Sequence, residues 1–345
     1  MHKARDVIAN AVQAGAFPAA VVEVGDATRV LWSEAFGRLT FDAGAPPAGL
    51  DTIFDLASLT KVLSTAPIVM QDIERGAVGL DEPIARYLDL WRGPERAGVT
   101  VRDLLAHCSG LPAYVPFYRE LSGRTAIERA ICETPLEYPP RTRSIYSDLG
   151  FMLLGFLLED RLSLPQRFTA LRAQMGIVED LQFHPPDLWR PRTAPTEHDP
   201  WRGRVLTGEV HDENATALGG AAGHAGLFGT AAAVGQHSRH VLQVLGGKVG
   251  AFQRATLELF ITKRADVPGS SRALGWDTML PTSSCGSRMS PRSFGHTGFT
   301  GTSLWIDPDR GIYVVLLTNR VHPSRANDAI RQVRPAVHDA VMNEI

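Results

Sequence analysis

The sequence predicts an α+β protein in which an antiparallel sheet, built from the N- and C-terminal segments and flanked by helices, carries an inserted, mainly helical subdomain. Three observations predict it. Strand-like runs lie at both ends, Ala19 to Val24 and Arg29 to Phe36 near one, Thr302 to Ile306 and Ile312 to Thr318 near the other. A Gly-Asp turn joins the first pair, and Asp307-Pro308-Asp309-Arg310-Gly311 joins the second, so each reads as a hairpin. Between the two pairs the apolar residues recur at helical spacing.

In chain order, Val7, Ile8 and Val12 share one face of a short helix that ends near Gly15 and leads into the first strand. Lys3 and Arg5 precede an uncharged stretch from Val7 to Val22, the outline of a secretory leader. Asp6, Asn10, Gln13 and Pro18 argue against that reading, and the expected location is cytoplasmic rather than exported. No run reaches the length of a transmembrane helix. Helices are expected over Leu59 to Glu74, Val101 to Ala106, Thr125 to Cys132, Asp148 to Asp160 and Ala231 to Leu245. Proline and arginine crowd Pro185 to Arg204 without periodicity, which predicts a long surface excursion beside the site. The expected division is a sheet-containing unit of residues 1–75 and 265–345 and a helical insertion of 76–264, with the active site in the cleft between them.

The chain has 345 residues and a formal net charge of −2, with no long block of one sign. That excludes the electrostatic footprint of a nucleic-acid or anionic-membrane binder and leaves a small molecule as the expected partner. Cys108, Cys132 and Cys285 are odd in number and far apart, which suits buried reduced thiols better than a disulfide framework or a zinc site.

Chemistry enters at Ser58-Leu59-Thr60-Lys61, at the head of an apolar helix. Residues three apart on a helix share a face, so the hydroxyl and the amine meet. A serine hydroxyl is a poor nucleophile until a neighbour takes its proton. The chain has only four lysines, Lys3, Lys61, Lys248 and Lys263, so chance supplies about 0.2 such Ser-x-x-Lys matches. The competing structural reading makes Ser58 a helix cap and Lys61 a snorkelling surface residue.

Companion motifs decide between the two. Tyr146-Ser147-Asp148 precedes the apolar helix from Leu149, and His296-Thr297-Gly298 precedes the last strand pair. In order and separation the three elements resemble the Ser-x-x-Lys, Tyr-x-Asn and Lys-Thr-Gly motifs of class C β-lactamases, D-Ala-D-Ala carboxypeptidases and related family VIII esterases. Leu104 to Pro112, Val210 to Ala215 and Gly219 to Phe228 are similar to further stretches of that superfamily, in a branch near penicillin-binding protein 4B. Tyr87-Leu88-Asp89 also fits a tyrosine-x-acid pattern, but it lies among apolar neighbours and reads as core.

The resemblance implies a β-lactamase/transpeptidase-like fold with Ser58 as nucleophile and Lys61 and Tyr146 as proton carriers. It places the oxyanion hole at the backbone N–H groups of Ser58 and Phe299, and the substrate among Asp148, His296, Thr297 and Gly298. Two positions depart from the family pattern. Asp148 replaces a neutral asparagine; a carboxylate there is expected to hold Lys61 charged, and a charged Lys61 to lower the Tyr146 phenol and make it the base. His296 replaces a lysine, so the charge at that edge is expected to titrate near neutrality. This weakens carboxylate-bearing substrates relative to neutral esters unless Arg320 or Arg325 compensates.

His107, His211, His224 and Asp212 match no metal-ligand spacing, and Gly219 to Gly226 lacks the Lys-Ser or Lys-Thr of a phosphate loop. Neither a metal nor another cofactor is expected, and the glycines read as close backbone packing beside the site. The expectation is therefore a serine hydrolase acting through an acyl-enzyme on a small ester or amide, esterase-like. A β-lactamase or D-amino-acid peptidase is the enzyme alternative, and a catalytically silent binding module is the alternative from another class.

Overall fold

The computed structural model describes residues 1–159, 162–265 and 267–345. The strands are β1 (Ala19–Asp26), β2 (Val30–Gly37), β3 (Phe54–Asp55), β4 (Leu181–Phe183), β5 (His198–Asp199), β6 (Arg204–Val205), β7 (Leu227–Gly229), β8 (Asp277–Thr278), β9 (Phe294–Thr297), β10 (Ser303–Asp307) and β11 (Ile312–Thr318). The helices are α1 (His2–Gln13), α2 (Ala66–Glu74), α3 (Val101–Leu105), α4 (Arg124–Glu133), α5 (Asp148–Leu158), α6 (Leu164–Gln174), α7 (Glu213–Ala217), α8 (Ala231–Leu245), α9 (Arg254–Ile261) and α10 (Ile330–Met342).

Both expected hairpins form, and β1 pairs antiparallel with β11 from Ala20 opposite Thr318 to Asp26 opposite Ile312. The two chain ends thus build one antiparallel sheet, ordered β2-β1-β11-β10-β9-β8. Its central strands are apolar on both faces because both faces are covered. Val21, Val315 and Leu317 point into the large core, while Val22, Val314 and Leu316 pack under α1 and α10. The expected α+β architecture is the one observed.

The expected boundary at 264 assigns residues 231–245 to the insertion. In the structure α8 packs across β1 and β11, so the chain returns to the sheet before that boundary. The expected excursion from Pro185 to Arg204 needs a larger correction. Thr193 to Glu197 are buried. Their backbone is satisfied inside the protein: Ala194 N–H donates to Ile53 O at 2.8 Å and Asn319 Nδ2 donates to Pro195 O at 2.9 Å. Proline-rich composition masked a segment that threads the interior because its backbone polar groups find partners there.

The run from Leu59 to Glu74 is helical but not uniformly α. A 3₁₀ turn over Ala57–Leu59 and a π turn over Lys61–Thr65 precede α2. Pro67, in the first turn of α2, has no N–H to continue an α ladder backward, and the backbone widens beside Lys61. Helix α5 is buried almost all round and carries Tyr146 and Asp148 at its N-terminal end. The expected helix continues to Asp160, which lies outside the described residues. Helices α6, α9 and α10 fall outside the runs read as helical; Arg331, Arg334 and His338 interrupt the apolar pattern of α10. Tyr87 is half-buried, and its hydroxyl accepts the Gly79 N–H at 2.7 Å, a structural role.

Candidate active site

Lys61 is fully buried, and its ammonium donates three hydrogen bonds: to Asp148 Oδ1 at 2.7 Å, Ser58 Oγ at 3.0 Å and His224 O at 3.2 Å. A lysine ammonium has three N–H groups, and each has an acceptor here. Burial opposes the charge, but Asp148 and Tyr146 together outweigh burial and raise the Lys61 pKa above its ordinary value. Lys61 is therefore a cation at rest, as Asp148 leads one to expect. Tyr146 departs from expectation. Burial, with the Asp148 charge adding to it, raises its pKa against the lowering by Lys61 and Ser58, so the resting phenol keeps its proton. The site at rest is an ammonium, a neutral phenol and a serine hydroxyl in mutual reach.

Local structure sets these positions. Ser147 caps α5 and donates its hydroxyl to Pro112 O at 2.7 Å, while the Ser147 N–H donates to His107 Nδ1 at 3.0 Å. The His107 ring lies 4.7 Å from the Tyr146 ring. Burial first, then Arg272 and Lys61, hold His107 well below the ordinary histidine pKa, so Nδ1 stays free to accept. The stretch from Leu104 to Pro112 thus braces the tyrosine turn.

The glycine-rich stretch packs closely, as expected: a Cβ on Gly223 would stand 2.1 Å from Phe151 O. It also does what the sequence did not reveal. His224 O is the third acceptor for Lys61, Gly223 O accepts from Thr65 Oγ1 at 2.6 Å, and the His224 ring is fixed by Asp212 at 2.9 Å. His211 pairs instead with Glu197. The histidines considered for a metal are thus engaged in separate hydrogen bonds. Among the described residues no group of three or more His, Cys, Asp or Glu side chains could hold a metal ion.

His296 requires a correction. It is 3 % exposed, its Nδ1 lies 2.8 Å from Thr297 O and its ring stands 5.7 Å from that of Tyr146. The carbonyl can only accept, so Nδ1 carries the proton. Burial first, then the charges of Arg272 and Lys61, push the His296 pKa well below its ordinary value. The expected titration near neutrality does not occur, because a buried ring between two cations resists a third charge.

Beyond His296, the turn from Thr297 to Thr302 lies directly against the turn that carries Ser58. A Cβ on Gly298 would meet Leu56 O at 2.6 Å, so only glycine fits this approach. Arg334 Nη2 donates to Gly298 O and Thr302 O at 2.7 and 2.9 Å, and Arg320 Nε donates to Phe299 O at 2.9 Å. Burial, with Arg320 adding to it, brings the Arg334 guanidinium down to about 9.

Two cavities meet at Ser58, Tyr146 and Phe299. One, of about 410 Å³, is lined by Arg272, Arg320, Arg331 and Arg334 against Asp277 and Asp328. The other, of about 550 Å³, is lined by Tyr114, Tyr118, His211, Asp212, Glu213 and Arg325. Of the two arginines expected to compensate for His296, Arg325 is committed to Glu197 at 2.6 Å and Glu213 at 2.7 Å. Arg320 faces the first cavity with Nε and Nη1 engaged by the carbonyls of Phe299, Arg325 and Asn327, which leaves its Nη2 to meet a ligand there. Arg272, which the sequence reading missed, lies 5.1 Å over the Tyr146 ring without an ion pair among the described residues. It belongs to no motif, and nothing local in the sequence marks it.

A serine and a lysine on one helical turn, met by a tyrosine at the start of another helix beside an antiparallel sheet, define a class of serine hydrolases. The chain belongs to the beta-lactamase family, whose family model, described as Beta-lactamase, matches residues 4–338. It is similar to the N-acetylmuramyl-L-alanine amidase of Bacillus subtilis, 31 % identical over 367 aligned residues that cover 93 % of this chain and 81 % of that protein. A putative D-alanyl-D-alanine carboxypeptidase of Salmonella gallinarum is 31 % identical, with 96 % of this chain and 85 % of that protein covered. Among solved structures, EstCE1, a hydrolase with promiscuous acyltransferase activity, superposes with a TM-score of 0.74 at 24 % identity and covers 98 % of each chain. That likeness is one of fold.

Proposed function

We propose that the chain hydrolyses a small ester or amide through an acyl-enzyme on Ser58. The observation that carries the reading is the Lys61 ammonium, held 3.0 Å from Ser58 Oγ with its other two protons committed to Asp148 and His224 O. A charged lysine fixed in this way positions the nucleophile and does not serve as its resting base. Tyr146 then acts as a relay. As Ser58 Oγ bonds to the acyl carbon, its proton passes to Tyr146 Oη, and the phenol's own proton passes to the leaving group. No resting tyrosinate is needed. Water attacks the acyl-enzyme by the reverse relay, and the carbonyl oxygen is held by the N–H groups of Ser58 and Phe299.

The arginine-lined cavity beside Ser58 favours a substrate that carries a carboxylate, as D-alanyl amides and β-lactams do. Arg272 supplies there the cation that His296 lacks. A neutral ester is the second reading, supported by the uncharged His296 and by the aromatic lining of the other cavity. A silent binding module is disfavoured by the contact of Ser58 with Lys61, which a binding role does not need. A cytoplasmic location is part of the proposal. The stretch with the outline of a leader is used for α1, the turn after it and β1 of the packed fold.

Intact-protein mass spectrometry after incubation with a fluorophosphonate and, separately, a penicillin tests the reading, with Ser58→Ala as control. A Ser58-dependent adduct with the fluorophosphonate is expected, and penicillin labelling separates carboxylate recognition from esterase-type recognition. Folded wild type that takes up neither probe would make the binding module the better account.

A further inference from the structure

We infer that Asp55 is a positioning residue for the oxyanion hole, joining the turn that presents the Ser58 N–H to the turn that presents the Phe299 N–H. The inference rests on the acyl-serine reading, which assigns those two donors.

Asp55 ends β3, three residues before the nucleophile, and is 2 % exposed. Its two carboxylate oxygens accept from different parts of the chain. Oδ1 takes the Ala57 N–H at 2.8 Å, and Oδ2 takes the His211 N–H at 2.7 Å across 156 residues of sequence. Its backbone carbonyl accepts from Thr300 Oγ1 at 2.7 Å, and the next carbonyl, Leu56 O, accepts from Thr302 Oγ1 at 3.1 Å. Both threonines are buried and belong to the Phe299 turn. Two hydroxyl bridges therefore fix the separation of the two turns.

The backbone before Ser58 needs such support. Ala57 has a φ of +47°, in the left-handed region that a side-chain-bearing residue avoids. The Ser58 N–H is the next donor along the chain, so its direction depends on a backbone conformation that would relax if released. Asp55 Oδ1 holds the Ala57 N–H in place. The second oxygen reaches Phe299 by another route, because the His211 ring stacks on the Phe299 ring with centroids 5.6 Å apart. A local turn cap would need only Oδ1; the bond from His211 is the feature such a cap leaves unexplained. The Phe299 N–H itself has no acceptor within the described chain, as a donor reserved for substrate requires.

The chemistry also explains why a carboxylate stands here. Both oxygens accept from N–H groups, whereas an amide would turn an NH₂ against one of them. Oxyanion stabilisation depends on donors already aimed at the place where charge develops, so a small displacement of either donor weakens the transition state more than the ground state.

The test measures hydrolysis of p-nitrophenyl acetate together with affinity for phenylboronic acid, whose tetrahedral adduct on Ser58 places an oxygen in the hole. In Asp55→Asn, kcat is expected to fall about 10- to 100-fold with KM within about twofold, and boronate affinity to fall by the same factor as kcat/KM. Thr300→Val removes one bridge and is expected to lose about tenfold in both readouts, with Thr300→Ser restoring them. If Asp55→Asn does not fold, the Thr300 pair decides alone. Folded variants with a lower melting temperature but unchanged kcat and boronate affinity would reduce Asp55 to a turn cap and overturn the inference. Wild type without Ser58-dependent hydrolysis or boronate binding would overturn the acyl-serine reading and this inference with it, a result distinct from active wild type with indifferent variants.

Discussion

Asp148 Oδ1 accepts a hydrogen bond from Lys61 Nζ at 2.7 Å, joining two helix starts that lie 87 residues apart in the sequence. The carboxylate is the anion nearest a lysine that burial would otherwise discharge. It fixes the charge on Lys61, and on the proposed reading the phenol beside it carries the proton.

Replacing that anion should shift the balance. In Asp148→Asn burial acts on Lys61 with less opposition, so the Lys61 pKa falls. Because the charged lysine is the active form, the descending, alkaline limb of kcat/KM against pH is expected to move at least about one pH unit toward acid. A limb that stays in place would show that Asp148 does not control the charge of the pair.

Tyr146→Phe keeps the ring against His107 and removes only the relay oxygen. Loss of general acid–base transfer predicts a fall in kcat of about 10²- to 10⁴-fold, approaching that of Ser58→Ala. Stopped-flow acylation by a chromogenic ester reads the step directly, and rates near those of wild type would assign the relay elsewhere.

Arg272→Ala tests the arginine-lined cavity. For a carboxylate-bearing amide or β-lactam, kcat/KM is expected to fall about tenfold or more, the scale of a lost charge-assisted contact. A neutral ester of similar size should change little. His296→Gln, in contrast, should leave the shape of the acylation pH profile around neutrality unchanged, because burial and the Arg272 and Lys61 charges disfavour protonation of the native ring. Equal losses on both substrate types in Arg272→Ala would remove the case for carboxylate recognition.

Acid stability follows from two histidines remote from Ser58. His237 and His338 are fully buried with neither ring nitrogen hydrogen-bonded, and burial, aided by His240 and Arg334 respectively, brings each pKa down to about 3. An unfolded histidine titrates near ~6.5. Between about pH 6.5 and 3 the unfolded chain therefore binds protons that the folded one refuses, so stability is intact above that window and falls as pH drops through it. Each histidine contributes a slope approaching about 1.4 kcal/mol per pH unit. Urea unfolding of a His237→Leu, His338→Leu double variant should show a shallower loss than wild type, and an identical slope would locate the acid sensitivity elsewhere.

The legible parts of this protein share a cause. Hairpins announce themselves through turn residues and strand composition, and β1, β2, β10 and β11 lie within about two residues of where those signals put them. Ser58 and Lys61 are neighbours on one turn, so their contact follows from spacing alone. Tyr146 and Asp148 were legible as a motif at a helix start, although their distance to Lys61 was not.

The sequence by itself determined the α+β class and the meeting of Ser58 with Lys61, because each depends on local periodicity or on neighbours along one turn. Tertiary structure alone decided that Tyr146 rests protonated, that His296 stays neutral and that Thr193 to Glu197 run through the interior. It also decided that Arg272 supplies the cation beside the phenol and that Asp55 joins two turns 245 residues apart. The physical reason is common to all five. Desolvation and long-range hydrogen bonding depend on what surrounds a group in space, and residues distant in the sequence supply those surroundings.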